Sequence, residues 1–319
     1  MKKVKQSLSV LLICCMFLVI PHPSLAAGSH LQIVTTMFPI YDWIREITDG
    51  VEGVEITMLL DSGVDLHSYQ PTVSDIVKIA SSDLFVYIGG ESDAWVTDVR
   101  KNTTNPNQIA MNLMEILGED IKTEETVEGM ETEEQSEEDA EADEHIWLSL
   151  RNAQKLVKAI TEALVSLDPE HAVSYQKNGA VYLAELQALD LQYSEALSHT
   201  AFRTLVFGDR FPFRYLTDDY DISYYAAFSG CSAEAEASFE TIVFLAGKVD
   251  ELHLPAVMTL ENTKLRLAET IVANTREHDQ KILALNSMQN ITASLVRDGA
   301  KYLTIMRTNL EVLRQALDE

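Results

Sequence analysis

Asp168-Pro169-Glu170 begins the longest uninterrupted helical pattern in the chain, and the rod that follows constrains the fold more than any other feature. An aspartate N-cap, a proline at the first helical position and an acid in the first turn make a strong start signal. From there to about Ser198 only Gly179 interrupts the pattern. At a rise of 1.5 Å per residue this is a rod of roughly 45 Å, long enough to cross a domain. Before it, LQIVTTM (31–37), VEITMLL (54–60) and LFVYIGG (84–90) read as strands, and Pro39 to Asp49 as an amphipathic helix. Thr72 with Asp75 three residues on is a capping-box pattern that opens a short helix. Leu148 to Leu167 reads as a further helix. After the rod, RTLVFG, ISYYAAF, PAVMTLE and KILALN read as strands with helices between, and a last helix runs from about Ile291 to Leu317. Such alternation implies parallel sheets flanked by helices. The predicted fold is α/β: two lobes with parallel sheets, over 28–168 and 200–319, joined by one long rigid helix over 169–199.

The chain's 319 residues suit two domains of ordinary size, and a hydrophobic content of 46% supports real cores. A formal net charge of -26 argues strongly against nucleic-acid binding. Lys2, Lys3 and Lys5 precede an apolar stretch from Leu8 to Ile20, and Ser24-Leu25-Ala26-Ala27 offers small-residue cleavage sites. Residues 1–27 therefore read as a secretory signal, which makes the mature chain extracytoplasmic: secreted, cell-surface or periplasmic. Lipid anchoring at Cys15 is an alternative, although a lipoprotein box wants a small residue just before its cysteine and finds Ile13 and Cys14. Cleavage leaves Cys231 alone in the mature chain, so no internal disulfide forms.

Glu119 to Glu144 holds fourteen acidic residues and one lysine, without periodicity. This composition predicts a solvated, disordered loop, read either as a bland charged insertion or as weak cation capture near a site. On that reading, deletion of Glu124 to Glu141 leaves the fold nearly intact. The tract runs out within EEDAEADEHIWLSL (137–150), immediately before His145.

Of the eight histidines, His22 leaves with the signal and His30 sits at the mature N-terminus. His171, His199, His253 and His278 lie on helices or at helix ends among charged neighbours, as surface or capping residues. His67 lies in GVDLHSYQPTVSD (63–75), between a strand and the capped helix at Thr72, and His145 lies beside Trp147. Loops at the carboxyl ends of parallel strands face the binding crevice. A neutral imidazole from each of two such loops is what a metal site needs from a scaffold. Read singly, each fits a structural loop histidine equally well.

At these two stretches the chain resembles the metal-binding lipoproteins and periplasmic proteins that feed zinc and manganese ABC importers. GVDLHSYQPTVSD looks like the family's first-ligand loop, and DEHIWLSLRNAQKLVKAI like its second, which follows a variable charged loop. TLVFGDRFPFRYLTDDYDI resembles the segment of the third ligand, and GCSAEAEASFETIVFL the helix after it. The resemblance covers nearly all of the mature chain. It implies two lobes on a rigid helix, a metal cleft between them, small hinge motion, a monomer, zinc or manganese as the carried ion, and a membrane permease as partner.

The match is incomplete. Phe213 and Tyr215 fit the third-ligand pattern, but Arg210 stands where the family has a histidine or glutamate, and arginine cannot bind a cation. The fourth position, often an aspartate, falls on Asn286. Candidates for replacement ligands are Cys231, Asp209 and Glu234, with Glu236 matching a family acid of the cleft. Cys231 is equally readable as a small buried apolar residue. Arg210 reads as an ion pair with Asp65 or Glu236 that braces the cleft, or as an anion-binding group. The leading expectation is a zinc- or manganese-binding receptor without turnover, so not an enzyme. A receptor for a metal chelate or anion is the alternative. A secreted zinc hydrolase lacks HExxH and Gly-x-Ser-x-Gly, and an adhesin lacks any adhesive motif.

Overall fold

The computed structural model describes residues 30–131, 141–230 and 236–318. The first lobe begins with β1 (Leu31–Thr35), α1 (Phe38–Ile47) and β2 (Val54–Met58), followed by α2 (Val73–Ser81) and β3 (Leu84–Tyr87). It continues through α3 (Val96–Arg100), β4 (Ile109–Asn112), α4 (Leu113–Leu117) and α5 (Leu150–Leu167). Its sheet is all parallel in the order β2-β1-β3-β4. The helices α3 and α4 were not legible in the sequence because five residues make little more than one turn and show no period, and β4, Ile-Ala-Met-Asn, because it has a single β-branched residue.

The rod is α6 (Ala172–Leu197), entered through a helical turn at Pro169–His171. Gly179 lies inside it without breaking it. A Cβ there would stand 2.6 Å from Thr161 Oγ1, so the glycine lets α6 approach α5 closely.

The second lobe runs β5 (Thr204–Phe211), α7 (Arg214–Asp219), β6 (Ser223–Ser229), α8 (Phe239–Leu252), β7 (Ala256–Leu260), α9 (Arg266–Ala273) and β8 (Lys281–Leu285). It ends with α10 (Ala293–Arg297) and α11 (Tyr302–Asp318). Its sheet is again all parallel, in the order β6-β5-β7-β8. Residues of β3 and β7 are buried throughout, as parallel strands covered on both faces must be. The single last helix expected over 291–317 is instead two, because Gly299 takes φ +96 and turns the chain between them.

One apolar core runs through both lobes, from Ile33 and Phe85 through Trp147 to Phe213, Met288 and Tyr302. A smaller one fills the outer side of the second sheet around Val206, Val249 and Ile271.

The acidic tract differs from its expectation at both flanks. Thr123 bridges Ala142 in antiparallel fashion, the Glu124 N–H donates to the Glu141 carbonyl, and the Asp143 N–H donates to the Lys122 carbonyl. The outgoing arm then reaches the second lobe. Glu125 pairs with Arg214 at 2.6 Å, Met130 is buried, and the Glu131 N–H donates to the Ala227 carbonyl. Gly129 has φ +82, and a Cβ there would collide with the Phe244 ring. Composition alone misses this strap because its few anchors are single residues scattered among acids. Residues 132–140 lie outside the described residues, as do the expected signal segment, Cys231 and Glu234.

Candidate metal centre

The loop after β2 carries His67 on a short helical turn, Leu66–Ser68, whose cap is Asp65: its carboxylate accepts from the His67 N–H at 3.0 Å. His145 follows the acidic tract. Its backbone N–H and its ring Nδ1 both meet Asp143 Oδ1 at 2.8 Å. The two imidazole centroids are 5.5 Å apart. Both sequence-predicted histidines are thus brought together, at the carboxyl ends of strands where a parallel sheet collects its ligands.

The rings are held by their Nδ1 sides. An acceptor-only carboxylate on His145 Nδ1 puts the proton there and leaves Nε2 with its lone pair. His67 Nδ1 meets Ser92 Oγ at 2.8 Å and lies 3.6 Å from Glu144 Oε2. Its Nε2 is buried and has no hydrogen-bond partner among the described residues. Burial first, then the neighbouring His145, pushes the His67 imidazole down to about 4. His67 is therefore neutral at neutral pH, the form that donates to a metal.

The second lobe supplies one contact that sequence reasoning missed. Gln289 is buried, and its side-chain amide nitrogen lies 2.7 Å from His145 Nε2. Asn286, on which the fourth family position falls, is a turn former: its side-chain oxygen accepts from the Met288 N–H at 2.8 Å. Met288 sits in the left-handed region, φ +62, and this turn aims Gln289 at the histidine. The available signal was the run Asn286-Ser287-Met288-Gln289 directly after β8, where a crevice residue is expected.

The other candidates are placed as follows. Asp209 Oδ2 accepts from Thr259 Oγ1 at 2.9 Å and from the Leu260 N–H at 3.1 Å, while Oδ1 accepts from the Arg210 N–H at 2.8 Å. Its carboxylate ties β5 to β7. Arg210 pairs with Asp65 at 3.2 Å, across the lobes and onto the cap of the His67 turn, which is the bracing role. Glu236 is exposed. Gly230, one residue before Cys231, abuts His145: a Cβ there would lie 2.9 Å from His145 Cε1. Among the described residues no group of three or more His, Cys, Asp or Glu side chains is placed to hold one metal ion. The described residues fit a metal in part: they supply two oriented imidazoles, and no complete shell is found among them.

A family model described as zinc-uptake complex component A, periplasmic, matches residues 33–316. The chain belongs to this family. It is similar to the zinc-binding protein AdcA of Streptococcus pyogenes serotype M3, 30% identical over 300 residues that cover 92% of this chain and 57% of the relative. It is also similar to the high-affinity zinc uptake system protein ZnuA of Bacillus subtilis, 28% identical over 302 residues, covering 91% of this chain and 88% of that protein. The chain thus spans little more than half the length of the AdcA relative. Among solved structures, the Zn(II)-bound ZnuA-like domain of Streptococcus pneumoniae AdcA superposes with a TM-score of 0.72 at 27% identity, over 92% of this chain and 100% of that domain. The metal-dependent lipoprotein YcdH of Bacillus subtilis gives 0.74 at 27% identity, over 90% and 99%. Both agree with two parallel-sheet lobes on one long helix. No helix among the described residues is long and apolar enough to cross a membrane.

Proposed function

We propose that this chain is an extracytoplasmic zinc receptor that captures the ion and passes it to the membrane permease of an ABC importer, without turnover. The observation that carries the reading is the pair of adjacent imidazoles, His145 buried and His67 half-buried, each held by its Nδ1 side, with the buried His67 Nε2 unpartnered among the described residues. The names of the relatives support zinc as the ion. His67 and His145 are the two nitrogen ligands. Zinc wants four partners from nitrogen, sulfur and oxygen, so the second lobe adds at least one more. Cys231 is the first choice because Gly230 beside it abuts His145. A thiolate there favours zinc over manganese, which prefers harder oxygen donors. Glu234 is the next choice, and Asp209 the last, since its carboxylate already ties two strands. Arg210 is engaged with Asp65, which weakens the motive for a chelate or anion receptor.

Titration of the metal-stripped mature chain with zinc tests the reading, and one tight site is expected. The His67→Ala,His145→Ala double variant keeps the fold and loses that site; tight binding that survives in it overturns the proposal. Cys231→Ser weakens zinc at least about tenfold, near 1.4 kcal/mol, with little change for manganese. Unchanged zinc affinity in that variant transfers the role to Glu234.

A further inference from the structure

The acidic tract ends in two acids that are not solvated. Asp143 is 3% exposed and Glu144 2%. Asp143 orients His145, the next residue but one. Glu144 points the other way, to the first histidine loop: its Oε1 accepts from the Ser92 N–H at 2.8 Å, and its Oε2 lies 3.6 Å from His67 Nδ1. Oε2 is buried and has no hydrogen-bond partner among the described residues. The carboxylate rests on Gly90 (φ +77), where a Cβ would stand 2.3 Å from Oε1, so the backbone is shaped to admit it.

We infer that Glu144 is a positioning residue for zinc, fixing the tautomer of His67 from the side opposite the metal; this rests on the receptor reading above. The chemistry follows from Ser92. A serine hydroxyl can accept a hydrogen bond from Nδ1–H or donate one to bare Nδ1, so Ser92 alone leaves the tautomer open. In the second arrangement the proton moves to Nε2 and blocks the metal. A carboxylate beside Nδ1 breaks the tie: it favours the proton on Nδ1, so Nε2 keeps its lone pair. Partners of this kind on the far nitrogen set ring orientation and ligand basicity in metal sites, and their loss costs roughly tenfold to a hundredfold in affinity. Asp143-Glu144-His145 thus serves both rings, one acid for each.

The test compares the wild-type chain with Glu144→Gln and Glu144→Ala. Glutamine keeps the volume and the acceptor for the Ser92 N–H, but turns a donor toward Nδ1. In metal-free protein, the ring nitrogen shifts of His67 in long-range 1H–15N spectra should move from the Nδ1–H toward the Nε2–H pattern in Glu144→Gln. The His145 shifts should stay. Zinc affinity, read by competition with a chromogenic chelator, should fall roughly tenfold to a hundredfold in both variants while the thermal midpoint holds. Unchanged His67 shifts or unchanged zinc affinity in Glu144→Gln overturns the inference. So does loss of the fold in that variant, which would make the carboxylate structural. Absence of a tight zinc site in the wild type would instead defeat the receptor reading, while the spectra still report on Glu144.

Discussion

Gln289 donates an amide proton to the lone pair of His145 that a cation would use. Metal entry must break this bond, whose net worth is about 1 kcal/mol. Replacing Gln289 by alanine should therefore speed zinc association roughly fivefold, as followed by stopped-flow competition with a fluorescent chelator; an unchanged rate would show that the amide already yields before the ion arrives. His67 and His145 were singled out in the sequence by the motifs around them, GVDLHSYQPTVSD and DEHIWLSL, since a lone loop histidine fits a structural role equally well. Gln289 was not, since a neutral amide carries no sign of what it touches. Arg210 was legible as a brace, because an arginine in a cleft facing Asp65 has an obvious partner.

Among the elements, α5 and α6 meet closely at Gly179. A Cβ at that position meets Thr161 Oγ1 at 2.6 Å and Cγ2 at 2.8 Å, and a buried threonine has little room to move. Gly179→Ala should lose about 1–3 kcal/mol to overpacking despite alanine's better helix propensity, measured by urea unfolding; a gain in stability would mean that the helices slide apart freely. The strap gives a second prediction. Deleting Glu124 to Glu141 removes the burial of Met130 and the Glu125–Arg214 pair, so a loss of about 2 kcal/mol or more is expected in place of the near-neutral effect that composition suggested. Deletion of 132–140 alone provides the comparison.

For the whole molecule, the lobes are pinned at several levels. The Ala293 N–H donates to the Asp61 carbonyl at 2.7 Å, Trp147 Nε1 to the Ser287 carbonyl at 2.8 Å, and the Tyr302 N–H to Asp42 Oδ2 at 2.7 Å. With a core continuous through both lobes, wide opening would expose apolar surface. Asp42 makes this junction pH-sensitive. Burial, only partly opposed by the Tyr302 N–H and Arg45, raises its carboxyl from 3.8 to about 6. Between these values the folded chain binds a proton that the unfolded chain releases. The contribution to stability is full below about pH 4 and is lost as pH rises through about 6. Relative to Asp42→Asn, the metal-free wild type should lose about 2 kcal/mol between about pH 4 and 7 in denaturant titrations; parallel profiles would show that Asp42 stays ionised throughout.

Local signals were enough to establish the α/β class, the two strand–helix series, the long helix and the two histidine loops. Caps, periodicity and strand-length apolar runs each act within about one turn or one strand, so they can be read from neighbouring residues. Which distant groups meet was settled by packing alone. The strap across the lobes, the approach of Gly179 to Thr161, the amide of Gln289 on His145 and the carboxylate of Glu144 beside His67 all join residues far apart in the chain. Such pairings depend on how elements distant in sequence pack on a shared core, and no local pattern encodes that distance.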